Sequence, residues 1–220
     1  MYHRINQPDS ASSLIVSPEA FKQQIHWLEK KGFGFLSLDE VIDGQAKTPF
    51  WKREVALSFD DGFRDNYENA FSLLIQRRRN AALFIVVDWV GREDFLSWKE
   101  IRDLAASGIT LGSHSLSHRW LPDISDSGEL RSEIFDSKRK IEDEVGKEVR
   151  HFCYPVGGVN ERVAEEVKRA GYRAAWAAGA RPSVPTENPL FCLRRIKVTP
   201  SDSSVFRFAV KAWGIKGMFG

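Results

Sequence analysis

The chain has 220 residues, 42% of them hydrophobic, which is enough apolar material for one sizeable core and fits a single domain over residues 1–220 better than two small ones. Lys and Arg number 32 against 30 Asp and Glu, a net charge of +2, so the charge carries no footprint for nucleic acid or for an acidic membrane surface. No apolar run approaches the ~20 residues that a membrane helix needs, and the polar residues 1–6 form no secretory signal, which predicts a cytoplasmic protein with Cys153 and Cys192 as reduced thiols.

Short apolar runs alternate with helical patterns along the chain. Ser17-Pro18-Glu19 supplies an N-cap, a first-turn proline and a dipole-favoured acid. The helix they open runs to about residue 31, with Phe21, Ile25 and Leu28 on one face and Gly32 as its stop. Residues 33–36 read as a strand and 38–42 as a short helix. Residues 55–59 form a buried strand ending in Asp60-Asp61-Gly62, and 66–78 are helical, with Arg77, Arg78 and Arg79 suited to the helix end. Residues 82–87 are a strand. Ser97-Trp98-Lys99-Glu100 is a capping box that opens a helix to about residue 107. A strand at 109–112 leads into His114, and 129–145 is a long amphipathic helix. Strand, helix and strand follow at 151–154, 161–170 and 172–176. The last strand covers 193–198, and Ser201 caps a final helix.

Repeated strand-then-helix order predicts an α/β fold with a parallel sheet covered by helices. In such folds chemistry collects at the carboxyl ends of the strands. Asp60 and Asp61, His114, and Pro155 to Gly158 all fall there. Adjacent carboxylates repel unless a cation offsets them, although Asp-Gly is also a common turn dipeptide. His114 and His118 are four apart, so a helical segment would place both imidazoles on one face, able to grip one ion. Two imidazoles and one carboxylate leave open positions on that ion, and the second carboxylate is free to act as a base.

Phe59-Asp60-Asp61-Gly62, His114-x-x-x-His118 and Phe152-Cys153-Tyr154-Pro155-Val156-Gly157 together resemble the three motifs of the polysaccharide deacetylases, the NodB-homology or carbohydrate esterase family 4 group. The likeness continues through Leu96-Ser97-Trp98, Ala170-Gly171-Tyr172 and Leu193-Arg194-Arg195-Ile196. It implies a distorted (β/α)7-type barrel and hydrolysis of N-acetyl groups on the amino sugars of a polysaccharide or glycan precursor. It also implies one divalent ion, Zn2+ by preference with Fe2+, Co2+ or Ni2+ as alternatives, held by Asp61, His114 and His118. Asp60 would be the catalytic base, and the amide near Val156 would help to hold the oxyanion. Tyr154, Pro155, Gly157, Trp98 and Arg195 would contact the sugar.

Two positions depart from the family pattern. The third-motif arginine that steadies the base is replaced by Cys153, for which Arg195 could substitute from a neighbouring strand. No late Leu-x-His histidine is present. The opening Tyr2-His3-Arg4-Ile5 resembles the circularly permuted poly-N-acetylglucosamine deacetylase branch, which implies His3 as the general acid with a pKa near neutrality. Two rival readings use the same residues: a non-haem iron oxygenase, and a degenerate glycan-binding relative for which the missing arginine speaks.

Overall fold

The computed structural model of the protein describes residues 1–7, 12–44, 53–178 and 188–213. Its strands are β1 (Arg4–Ile5), β2 (Ile15–Val16), β3 (Gly34–Phe35), β4 (Glu54–Val55), β5 (Ser58–Phe59), β6 (Ala82–Ile85), β7 (Thr110–Ser113), β8 (His151–Cys153), β9 (Ala174–Ala178) and β10 (Leu193–Arg195). Six of them form one all-parallel sheet in the order β10-β9-β8-β7-β6-β5. Parallel neighbours need crossovers. The α-helices are α1 (Pro18–Lys30), α2 (Leu38–Ile42), α3 (Arg64–Asn66), α4 (Ser72–Gln76), α5 (Trp98–Ala106), α6 (Ser127–Arg131), α7 (Ser137–Val145), α8 (Glu161–Arg169) and α9 (Val205–Ala212), of which α3 to α8 lie in the connections between strands of this sheet. Among the described residues no helix is long and apolar enough to cross a membrane.

The expected apolar face of α1 is the buried one: Phe21, Ile25 and Leu28 are all 0% exposed. Ser17 caps it by accepting from the Ala20 amide, and Ser97 and Glu100 form a reciprocal capping box on α5. The strand expected over residues 55–59 divides in two. Val55 pairs with Phe35 in a small separate sheet, while Ser58 pairs with Ala82 in the main one, so the chain changes partners at Ala56 and Leu57. The two long helices also carry local departures. Tyr67–Phe71 and Ser132–Asp136 are π-helical stretches, the first between α3 and α4 and the second between α6 and α7.

The start of the chain closes the barrel. Tyr2 donates its amide to Ser58 O at 2.8 Å and accepts from Asp60 N at 3.0 Å, on the β5 edge of the sheet. Met1 accepts from Val198 N at 2.9 Å and donates its own amino group to Ile196 O at 2.6 Å, just past the β10 edge. Residues 1–2 therefore occupy the gap between the two sheet edges. The Tyr2 ring packs on Phe21 and Phe59, with centroids 5.3 and 5.4 Å away, and its hydroxyl donates to Gln24 Oε1. Beyond it, Asn66 Nδ2 donates to His3 O at 2.7 Å and Asn69 Nδ2 to Ile5 O at 2.9 Å, which pins His3 over the carboxyl end of β5.

At the opposite end of the sheet, His151 is fully buried beside Asp39, with Arg150 and Arg173 around the same carboxylate. Burial lowers its pKa from 6.5 to about 4. A base that is harder to protonate when folded stabilises the fold fully above pH 6.5, and that stability is lost as pH falls towards about 4. In His151→Phe, the dependence of unfolding free energy on pH should flatten across this window in urea titrations. An unchanged slope would show that His151 does not carry it.

Candidate active site

The strand ends deliver the side chains. At the end of β5, Asp61 adopts φ 74° and Gly62 φ 88°. This left-handed turn, which Asp tolerates better than most residues, sends the two carboxylates to different partners. Asp60 goes to Arg195. The guanidinium of this β10 residue donates from Nη1 to Oδ1 at 2.6 Å and from Nη2 to Oδ2 at 2.7 Å. Nη1 also donates to Ser58 Oγ at 3.1 Å and Nη2 to Cys153 Sγ at 2.8 Å. Both side chains are buried, at 5% and 2% exposure. Burial alone would raise the Asp60 pKa, but the Arg195 charge and its two hydrogen bonds overcome that and hold the carboxyl well below the usual range.

Asp61 has no such partner. Its Oδ1 is buried and makes no hydrogen bond, while His114 Nε2 and His118 Nε2 each lie 3.5 Å from it. His114 Nδ1 donates to Cys153 O at 2.7 Å, so its Nε2 faces Asp61 as a lone pair. Burial lowers the His114 pKa to about 3 and also lowers that of His118, so both rings stay neutral. Burial and the Asp60 charge raise Asp61 to about 7. Three ligand-type atoms thus converge, and a cation between them would return the Asp61 carboxyl to its ionised form. Donor atoms 3.5 Å apart are spaced as they are around an ion about 2.1 Å from each. Burial, donor type and the orphaned oxygen all fit a divalent cation, and two imidazoles with one carboxylate suit zinc or iron. Asp60, His114 and Cys153 form a second convergent group. Arg195 Nη2, 2.8 Å from Cys153 Sγ, puts a fixed positive charge in that space, so of the two groups Asp61, His114 and His118 are the one that fits a cation.

The histidine pair is not helical. Ser115 and His118 have φ 68° and 66°, and the segment is an irregular loop after β7. Ser115 N donates to Ser113 Oγ at 3.2 Å, and His118 N donates to Ser115 Oγ at 3.0 Å. Such local side-chain bonds compete with helix formation. The buried carboxylate of Glu133 accepts from Leu116 N at 3.1 Å and Ser117 N at 2.9 Å, and also binds the Ser117 hydroxyl. Glu133 lies in the π-helical stretch before α7; π-turns of this kind often serve functional sites. Trp89, just past β6, packs its ring on His118 with centroids 4.9 Å apart.

The positions expected to contact sugar are redistributed. Arg195 is committed to Asp60 and buried. Tyr154 is 0% exposed, and its hydroxyl donates to Phe191 O at 2.9 Å, so the ring belongs to the core. Pro155 and Gly157 are buried as well. Gly157 sits at φ 79°, where a Cβ would come within 2.9 Å of Ala178 O, so the position is set by backbone packing. Trp98 faces Lys140 of α7 at 5.8 Å, which places it in the outer helical layer. Val156 alone of its turn is exposed, at 68%, with φ 55° at the carboxyl end of β8. His3 lies close enough to Asp60 for that charge to raise its pKa, yet burial brings the ring down to about 4, not near neutrality.

The sequence profile described as "Polysaccharide deacetylase" matches residues 47–175. The chain belongs to this family. The Staphylococcus aureus (strain MRSA252) poly-beta-1,6-N-acetyl-D-glucosamine N-deacetylase is 26% identical over 238 residues, covering 96% of this chain and 81% of that protein. The Bacillus subtilis (strain 168) protein YxkH is 28% identical over 206 residues, covering 92% of this chain and 71% of its own length. The Streptococcus pyogenes deacetylase PplD, solved in complex with acetate, superposes with a TM-score of 0.83 at 24% identity, covering 95% of this chain and 94% of the other. This likeness and the closed arrangement of parallel strands make the fold the NodB-like (β/α) barrel of polysaccharide deacetylases. Sequence reasoning missed Trp89 and Glu133. Trp89 had a usable signal, since it follows an apolar strand at the end where the ligands gather. Glu133 had none, because a π-turn leaves no local pattern.

Proposed function

We propose that this polysaccharide deacetylase is a metal-dependent hydrolase that removes N-acetyl groups from poly-N-acetylglucosamine-like glycans. The observation that carries the reading is the division of labour in the Asp60-Asp61 pair: Asp61 faces two neutral imidazoles, while Asp60 is held ionised by two hydrogen bonds from Arg195. Asp61, His114 and His118 would hold the ion, which when bound polarises a carbonyl and acidifies water. Asp60 accepts the proton of the attacking water through a lone pair that Arg195 leaves open. The Val156 amide donates to the oxygen on which charge develops.

Proton delivery to the leaving nitrogen falls to His3. Its ring lies close enough to Asp60 to feel that charge, so a proton taken up by Asp60 can be handed on through His3 to the departing amine. His3→Gln is expected to slow amide hydrolysis about a hundredfold while largely sparing an activated acetyl ester, whose leaving group needs no proton. Equal losses on both substrates would remove His3 from this role. Arg195 also answers the sequence's argument for a non-catalytic relative, since a guanidinium does reach the base. The direct test is acetate release from a β-1,6-linked N-acetylglucosamine oligomer, before and after chelation. Release that stops with chelator and returns with Zn2+ supports the reading, and release indifferent to chelator refutes it.

A further inference from the structure

Glu133 is a buried carboxylate without a cation. It is 5% exposed, and among the described residues no Lys, Arg or His forms an ion pair with it. Its bonds run instead to the histidine loop. Oε2 accepts from Leu116 N at 3.1 Å and Ser117 N at 2.9 Å, and Oε1 accepts from the Ser117 hydroxyl. The main-chain carbonyl of Glu133 also accepts from Leu116 N, at 3.1 Å. The loop carbonyls are held from the other side, where Val87 N donates to Ser115 O at 3.3 Å and Asp88 N to Leu116 O at 2.9 Å. Residues 115–117 are thus gripped between the end of β6 and the helix that follows the loop. His118 is the next residue.

The π-turn gives Glu133 its aim. Within the stretch Ser132–Asp136, the carbonyl of Ile134 accepts the hydroxyls of Ser137 at 3.0 Å and Tyr172 at 3.1 Å. Ser137 Oγ in turn accepts from Ser113 Oγ at 2.8 Å, at the end of β7. These buried bonds tie the turn to β7 and to the approach to β9, so the carboxylate is presented to the loop from a fixed support. The charges follow the same division. Arg195 matches Asp60, which leaves Asp61 and Glu133 as the carboxylates around the loop that no guanidinium or ammonium offsets. The Glu133 charge is felt at His118.

We propose that Glu133 is the positioning residue of the metal site: its carboxylate fixes residues 116–117 so that His118 stays beside Asp61, and its charge, with that of Asp61, balances a divalent ion. The inference rests on the metal-dependent reading above. Three donors converge on Glu133, so the place suits a group that only accepts; glutamine would set an NH2 against loop N–H groups. Groups that orient a ligand without touching the ion typically govern about 10- to 100-fold in metal affinity.

The test compares Glu133→Gln with wild type, both stripped of metal by chelator. Zn2+ affinity is read by competition with a chromophoric chelator, ligand geometry from the visible spectrum after Co2+ is added, and stability of the metal-free protein from urea unfolding. Glu133→Gln is expected to bind Zn2+ about 10- to 100-fold more weakly, with cobalt bands altered in position or intensity. A purely structural Glu133 would lower the urea midpoint yet leave the Zn2+ affinity and the cobalt spectrum of the folded protein as in wild type, and that result would overturn the proposal. If Glu133→Gln does not fold, Ser117→Ala removes one of the three donors and is read in the same way. Its expected loss is about fivefold, the scale of one hydrogen bond, and unchanged affinity would again overturn the role. Wild type that binds Zn2+ but releases no acetate would sink the deacetylase reading alone, since the affinities still decide the place of Glu133. Wild type that takes up no Zn2+ would overturn both.

Discussion

Asp60→Asn is expected to lower turnover by about 10² to 10⁴ while leaving the metal content unchanged. Asparagine keeps the shape of the side chain and can still accept from Arg195 through its amide oxygen, but it cannot take up a proton. The proposed ligand atoms belong to Asp61, His114 and His118, none of which changes. The measurement pairs acetate release on an N-acetylated oligomer with elemental analysis of the same sample. Near-wild-type turnover would show that Asp60 is not the base, and loss of the metal would show that it is a ligand.

Arg195→Met should produce the largest effect on stability. It leaves the Asp60 carboxylate buried at the carboxyl end of β5 without its guanidinium, and breaking a buried pair from one side costs about 3–5 kcal/mol. Urea denaturation reads this directly. The same change has a second consequence. Burial pushes the Asp60 pKa up and Arg195 holds it down, so without Arg195 the carboxyl rises. A base that must be ionised then loses activity at a higher pH, and the acid limb of the kcat/KM profile moves upward. Adding Cys153→Arg returns an arginine to the third-motif position, 3.9 Å from Asp60 at Sγ, and should recover part of both losses. A variant with wild-type stability and an unmoved acid limb would mean that Arg195 does not govern the base.

The chemistry-bearing residues were legible because the fold concentrates them. Apolar strands are visible as runs, and in a parallel sheet whatever follows each run lands on one rim, so Asp60, Asp61, His114 and Val156 could be placed without coordinates. Arg195 was legible as a side chain from a neighbouring strand, but its commitment to Asp60 was not, since the sequence carries no cross-strand distances. The conformation of the histidine loop was not legible. Spacing by four suggests a helix, but Ser113, Ser115 and the distant Glu133 satisfy the loop amides in a left-handed turn. Tyr154 and Trp98 were misassigned for a related reason. Both sit at element ends, and only packing decides that the Tyr154 hydroxyl turns inward to Phe191 and the Trp98 ring outward to Lys140. The barrel closure by Met1 and Tyr2 was equally hidden, because it links residues 1–2 to residues 58–60 and 196–198 through backbone bonds that leave no side-chain pattern.

The sharpest test of the account is diffraction at the zinc edge from a crystal of the Zn2+-loaded protein. One anomalous peak should lie about 2 Å from Asp61 Oδ1, His114 Nε2 and His118 Nε2, with Asp60 still paired to Arg195 and off the ion. A peak coordinated by Asp60 or Cys153, or no peak between the two histidines, would contradict it.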